Sequence, residues 1–223
     1  METGAVLTGD VIGSTRTDQE FLPKLKRVLH DVNQQFSARH DRYEIYRGDS
    51  FQFVLRGNAG LSLKAAILIR AGLKSETIYP EFPARFDARI AMGIGNLARV
   101  QHKPGESNEE AFIISGKLLD GLEKEKYNLV AGMNNPAWIN LLNVATRWAD
   151  HIISNWSAAS ADTLYLHWLK ELNQSEIAAA FGITQPGAHK RFQQAKIEYL
   201  AFCEENFRKT VNELLNDRDH HTA

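Results

Sequence analysis

Two aspartates and one short segment toward the C-terminal end have residue types and spacings that can do chemistry. Asp10 stands near the end of an apolar run in Gly9-Asp10-Val11-Ile12-Gly13-Ser14-Thr15, and Asp49 stands in a Gly48-Asp49 turn between two alternating runs. Two carboxylates brought together at a sheet end can hold one or two Mg²⁺ (or Mn²⁺) ions, which in turn hold a nucleoside triphosphate. The backbone N–H groups of Gly13, Ser14 and Thr15 can cradle phosphate oxygens ahead of a helix, with Gly48 at the facing turn. Either aspartate alone reads first as a turn former. The pair, with Gly-Ser-Thr after the first, reads as a nucleotide site. Arg47 and Arg89 are the candidate phosphate partners, although each also fits a solvated strand charge. Asp87 reads as a local partner of Arg89.

The second segment is NQSEIAAAFGITQPGAHKRFQQA, from Asn173 to Ala195. Ile177, Ala178 and Phe181 form the inward face of a short helix, and Ala178 is small where a second helix must cross. Gly182 supplies a turn that needs positive φ. Thr184 is a good N-cap for the next helix, and Pro186 is tolerated in its first turn. Ile183, Ala188 and Phe192 continue the buried face. Gln185, Gly187, His189, Lys190, Arg191 and Gln194 are left pointing out. Glutamine can read adenine bidentately, and lysine or arginine can reach guanine or phosphate. The same residues also fit an ordinary helical corner. The pattern resembles the helix-turn-helix of sigma-factor region 4 and of many bacterial regulators, which implies double-stranded DNA as partner.

The formal net charge is −1, so any nucleic-acid contact rests on a local patch rather than on a global field. His189-Lys190-Arg191 and Lys196 are the only concentrated cations near the segment. One copy therefore binds DNA weakly, and a homodimer is implied. A seam for it is available in Phe192, Ala195, Tyr199, Phe202, Cys203, Phe207, Val211 and Leu214, which share one face if residues 185–215 form a single helix. That face fits equally well against Trp148, Trp156 and Leu166 of the same chain.

The elements that must position these residues follow from periodicity. Strands are predicted at residues 5–12, 42–47, 50–55, 84–94 and 128–131. Helices are predicted at residues 20–39, from an Asn58 cap to 78, and at 115–125. The order β-α-β-β-α-β-α-β predicts an α+β fold, a ferredoxin-like or palm arrangement with an antiparallel sheet and helices on one face. After Asn134-Asn135-Pro136 no strand pattern remains, and residues 138–156, 161–170, 174–181 and 185–215 all read as helix. Residues 1–133 are thus expected to form the palm-like domain, and residues 134–223 an all-α domain carrying the helix-turn-helix at 173–195.

The N-terminal motifs resemble the class III nucleotidyl cyclase domain, whose first metal motif is matched by Asp10–Thr15 and whose Gly-Asp hairpin is matched by Gly48-Asp49. The hairpin is also similar to the GGDEF signature of diguanylate cyclases, with Ser50 in place of an acidic residue. Across most of its length the chain resembles the SatD-like family, which shares the Thr8-Gly9-Asp10…Gly13-Ser14 start, the Gly-Asp hairpin and a C-terminal helix-turn-helix. The cyclase resemblance implies a base-reading lysine where Ile45 stands. It also implies an asparagine and an arginine on a late helix, where Lys117 and Gly121 stand. Lys117 can substitute as a cation; Gly121 cannot. The implied site binds a metal–nucleotide but cyclises poorly, because cations at developing phosphoryl charge carry much of the rate.

The single cysteine, Cys203, excludes an internal disulfide and reads as a small buried hydrophobe. The first ten residues do not form a signal peptide, and no apolar run is long enough to span a membrane, so the expected location is cytoplasmic. The histidines, His30, His40, His102, His151, His167 and His189 among them, show no zinc-ligand spacing. The combined expectation is a DNA-binding regulator with a Mg²⁺-nucleotide-sensing, catalytically degenerate domain. The alternative is an active cyclase or related phosphoryl-transfer enzyme that its helical half dimerises.

Overall fold

The computed structural model describes residues 2–13, 21–36, 43–46, 48–97 and 109–221. The fold is α+β, a five-stranded mixed sheet with helices. The strands are β1 (Thr3–Ile12), β2 (Tyr43–Tyr46), β3 (Ser50–Arg56), β4 (Asp87–Asn96) and β5 (Leu129–Met133). The helices are α1 (Phe21–Phe36), α2 (Ser62–Lys74), α3 (Glu110–Leu122), α4 (Pro136–Ser154), α5 (Ala158–Leu169), α6 (Gln174–Ala180), α7 (Gln185–Ala195) and α8 (Ile197–His221).

The sheet order is β2-β3-β1-β4-β5. β1 lies antiparallel between β3 and β4, whereas β4 and β5 run parallel, so the sheet is not purely antiparallel. Nor do its helices keep to one face. Ala5 and Leu7 of β1, Phe51, Phe53 and Leu55 of β3, and Ile90, Met92 and Ile94 of β4 pack with α1 and α2. The alternate residues Val6, Val54 and Ala91 pack instead with Ala111, Phe112 and Leu122 of α3. A strand that presents a side chain to each face in turn requires cover on both when both are apolar. Gly93 lets α3 come close: a Cβ there would stand 2.1 Å from the Ala111 carbonyl oxygen.

α2 decides the rest of the architecture. Its residues from Ser62 to Leu73 are buried all round, with only Lys64 partly open. A helix without a polar face needs partners on every side. The sheet and α1 cover part of it, and α4, α5 and α8 cover the remainder. Leu142, Ala149, Ile153, Leu164, Tyr165, Phe207 and Val211 accordingly belong to the same apolar core as Leu63, Ile67 and the sheet. The change of texture near Asn135 is real, but the core runs across it.

Within that core lies Arg70, fully buried. Its Nε and Nη2 donate to the two Asp87 oxygens at 2.7 and 2.8 Å, and its Nη1 donates to Asp150 at 2.6 Å. Ser154 Oγ lies 3.1 Å from Nη2, and the second Asp150 oxygen accepts from the Asn128 amide at 3.1 Å. Lys74 adds a second cation at 2.9 Å from Asp87. Asp87 is therefore a partner of α2, not of Arg89. Burial works against both charges, yet the pairing outweighs it. The Arg70 pKa stands above the ordinary guanidinium value, and Arg70 and then Lys74 hold the Asp87 pKa below the ordinary 3.8.

Two elements depart from expectation at their ends. Asn58 makes no side-chain cap; a single 3₁₀ turn over Ala59–Leu61 leads into α2 instead. The expected single helix over 185–215 is broken at Lys196, which takes a left-handed conformation at φ 56° between α7 and α8. The carbonyl of Ala195 there accepts a hydrogen bond from Trp156 Nε1 at 3.0 Å.

Removing one member of a buried ion network leaves the others charged without compensation. Asp150→Ala should lower the unfolding free energy in urea by about 3 kcal/mol or more. A carboxylate with a lowered folded pKa contributes fully above its unfolded pKa, and that contribution is lost as the pH falls through the folded value. The urea midpoint should therefore decline below about pH 4. Asp87→Asn should be less stable at neutral pH and lose less on acidification.

Candidate functional site

The carboxylate end of the sheet is built by register. Asp10 on β1 lies opposite Ser50 on β3 and opposite Arg89 on β4. Asp49 precedes Ser50 in the turn from β2, and its carbonyl accepts from the Val11 amide at 3.1 Å. Asp10 and Asp49 thus come to one end of the sheet. Gly13 and Gly48 sit there as well, both exposed, with φ of 80° and 81° and open space where a Cβ would project. Ile12 beside them is 39% exposed. Ser14, Thr15 and Arg47 lie outside the described residues, as do His40 and His102.

Between these groups stands Arg89. Its Nε donates to both Asp10 oxygens, at 3.0 and 3.1 Å, and its Nη2 donates to Asp10 as well. Side-chain exposure is 25% for Arg89 and 19% for Asp10, so the pair is partly shielded from water. Hydrogen bonding to Asp10 is the main cause that holds the Arg89 pKa above its ordinary value. Burial opposes it, and the charges of Asp10, Glu123 and Asp49 reinforce it. Arg89 is therefore neither a free strand charge nor a partner of Asp87.

This arrangement, as folded, does not fit a divalent ion on Asp10. Both oxygens of that carboxylate are engaged by the guanidinium, and among the described residues no three His, Cys, Asp or Glu side chains gather into a metal-binding group. Lys117 does not join the site either. It is exposed on α3, two residues and about 200° of helical turn from the buried Ser115 that faces β1 through a 2.8 Å bond to Thr8. Gly121, also exposed, offers no side chain.

The second candidate is the pair α6 and α7, joined by the turn Phe181–Thr184. Asn173 caps α6 by accepting from the Ser175 and Glu176 amides, while Glu176 reaches back to the Asn173 amide at 2.7 Å. This is a complete capping box. Gly182 takes φ 61° at the turn, the conformation that glycine reaches without steric cost. Thr184 caps α7, accepting from the Gly187 amide at 3.3 Å. Ile177, Ala178, Ala188 and Ala195 are buried, whereas Phe181, Ile183 and Phe192 are only half-buried. Phe192 meets His167 edge-on at 5.0 Å.

Gln185, His189, Lys190 and Gln194 are exposed. Arg191 differs from them: it is half-buried, with its guanidinium 4.7 Å from the Phe181 ring. His189 also lies 3.0 Å from Gln193. The apolar seam foreseen on the last helix is divided. Cys203, Phe207, Val211 and Leu214 are buried within the chain, while Tyr199 and Phe202 face out. Sequence reasoning missed a different stripe. Trp138, Leu141, Val144 and Trp148 recur at three and four along α4 and remain exposed, Val144 at 67% and Trp148 at 52%. Their helical period was readable as a face; what the sequence lacked was any sign that nothing among the described residues covers it.

Comparison of the chain with protein-family models, with curated proteins and with solved structures finds no match.

Proposed function

We propose that the chain is a DNA-binding regulator: α6 and α7 act as a helix-turn-helix, and the carboxylate end of the sheet receives a nucleotide. The observation that carries the first part is α7 itself. It is capped at Thr184, seated by Ala188 and Ala195, and leaves Gln185, His189, Lys190 and Gln194 exposed along its outer side. A recognition helix reads base edges mainly from its N-terminal residues. Gln185 is the first residue of α7, and Lys190 follows on the side that would meet phosphate. Arg191, stacked on Phe181, steadies the corner rather than reading bases.

The nucleotide part rests on a ferredoxin-like reading of the strand order and on the open Gly13 and Gly48 turns beside Arg89. A phosphate group would meet the backbone of those turns and the outer edge of the guanidinium. The phosphoryl-transfer alternative gains no such support, since Lys117 is turned to solvent and Arg89 is held by Asp10.

Two copies supply the affinity that one lacks. The α4 stripe is the better seam, because most of the α8 face is spent inside the chain and leaves only Tyr199 and Phe202 outside. Of the charged side chains on α4, Asp150 is buried in the Arg70 network and Arg147 stacks at 3.2 Å on Tyr127. A two-fold axis would set one such stripe against its copy. A contiguous apolar stripe of this kind marks an interaction surface.

Fluorescence anisotropy with labelled genomic fragments at low salt tests the first part. Binding should weaken steeply with salt, and Lys190→Glu with His189→Ala should reduce it about tenfold or more at unchanged melting temperature. No salt-sensitive binding to any fragment sinks the reading. Sedimentation tests the seam: the wild type should run as a dimer and Trp148→Glu as a folded monomer.

A further inference from the structure

The chain bends between α7 and α8 at Lys196, whose φ of 56° is left-handed. Beside the bend, bordered by the first residue of α6, lies a cavity of about 320 Å³. That volume falls at the low end of small-molecule sites. We propose that this cavity binds a small aromatic zwitterion, a ring that carries both a carboxylate and an ammonium, as a free aromatic amino acid does. The site lies apart from the sheet end and owes nothing to the nucleotide reading.

Three observations support it. First, the walls suit a ring. Phe192 of α7 and Tyr199 of α8 line the cavity, with the buried Ile197 beside them. Tyr199 is 57% exposed, so much of its ring is left for a ligand to cover. Phe192 is held from behind. His167 meets it edge-on at 5.0 Å, and the Nδ1 of His167 donates to the Leu172 carbonyl at 2.8 Å. A ring fixed in this way is ready for another ring without further ordering.

Second, the charges are unspent. Lys196 and Glu198 both line the cavity, and neither forms an ion pair among the described residues. Two opposite charges that do not meet each other offer one partner to a carboxylate and one to an ammonium. A ligand with a single charge would satisfy one and oppose the other.

Third, the lysine is costly where it stands. A left-handed turn at a helix end ordinarily takes glycine or asparagine, and a longer side chain holds it under strain. The Lys196 ammonium lies 5.9 Å from the Tyr199 ring, within cation–π reach. The side chain is thus laid over the aromatic wall, where it would meet the carboxylate of a ligand stacked on Tyr199. His189 and Gln193, joined at 3.0 Å, line the same cavity from α7. An occupant would touch the helix assigned to DNA, and that consequence alone rests on the DNA reading above.

Isothermal titration calorimetry on the full chain, without DNA, tests the site independently of that reading. Free L-phenylalanine, L-tyrosine and L-tryptophan are the probes, each with its desamino acid and its decarboxylated amine as single-charge controls. At least one amino acid should bind, about tenfold or more tightly than either of its controls. Lys196→Gly keeps the left-handed backbone and should melt no lower than the wild type, yet bind that amino acid about tenfold more weakly. If it melts lower, Lys196→Asn takes its place. Glu198→Gln should weaken the amino acid by a similar factor and leave the desamino acid unchanged. Unchanged affinity in either variant, or a control that binds as tightly as its amino acid, overturns the proposal. So does the absence of binding by all three amino acids at millimolar concentration.

Discussion

A guanidinium shut away from water must be surrounded by acceptors, and in this chain those acceptors come from elements that lie far apart in sequence. Arg70 on α2 needs Asp87 from the start of β4 and Asp150 from α4, and Asp150 in turn takes the amide ahead of β5. Such a network adds little net stability compared with an apolar filling of the same volume, but it admits few alternatives. α2, β4 and α4 can meet in one register only, because any other leaves a charge buried without its partner. The placement of the second half on the first is fixed in this way, and with it the distance between the sheet end and α7.

The path between the two candidate sites is short and made of packed side chains. α5 lies against α2 on one side and against α7 on the other. Tyr165 of α5 meets Tyr79 at 2.6 Å, and Tyr79 donates to Asp31 of α1 at 3.0 Å. Burial pushes both phenols well above their ordinary pKa, so both stay protonated and this chain of hydroxyls holds across the working pH range. At the far end, Trp156 ties the α4–α5 turn to the last carbonyl of α7.

Much of this was legible in the residues. The order of strands and helices and the capped corner at Asn173 and Thr184 follow from local rules, periodicity and cap chemistry, whereas the meeting of Asp10 with Asp49 was expected only from the palm-like arrangement of strands. What escaped depends on neighbours that local rules do not reveal. Lys196 breaks the last helix without a glycine, because Trp156 binds the carbonyl before it and the left-handed turn redirects the chain. Arg89 reaches Asp10 because β1 and β4 happen to be partners, which no spacing along the chain announces. α3 lies on the opposite face from α1 and α2, because Val6, Val54 and Ala91 also need cover. One signal was present and unread. The run from Ala65 to Leu73 is apolar on all sides except at Arg70, and a helix of that kind announces that more than a sheet must cover it.

That last helix carries a consequence for how such a chain can arise and be divided. A protein assembled by joining two modules ordinarily keeps each part whole, and a cut in the linker returns two folded pieces. Here a cut near Asn135 would strip the back of α2 and strand Arg70 with half its acceptors. The helices after Asn135 would lose the platform that α5 and α8 rest on. The two halves are one object in the thermodynamic sense, and descent by exchange of modules is closed to it at that junction.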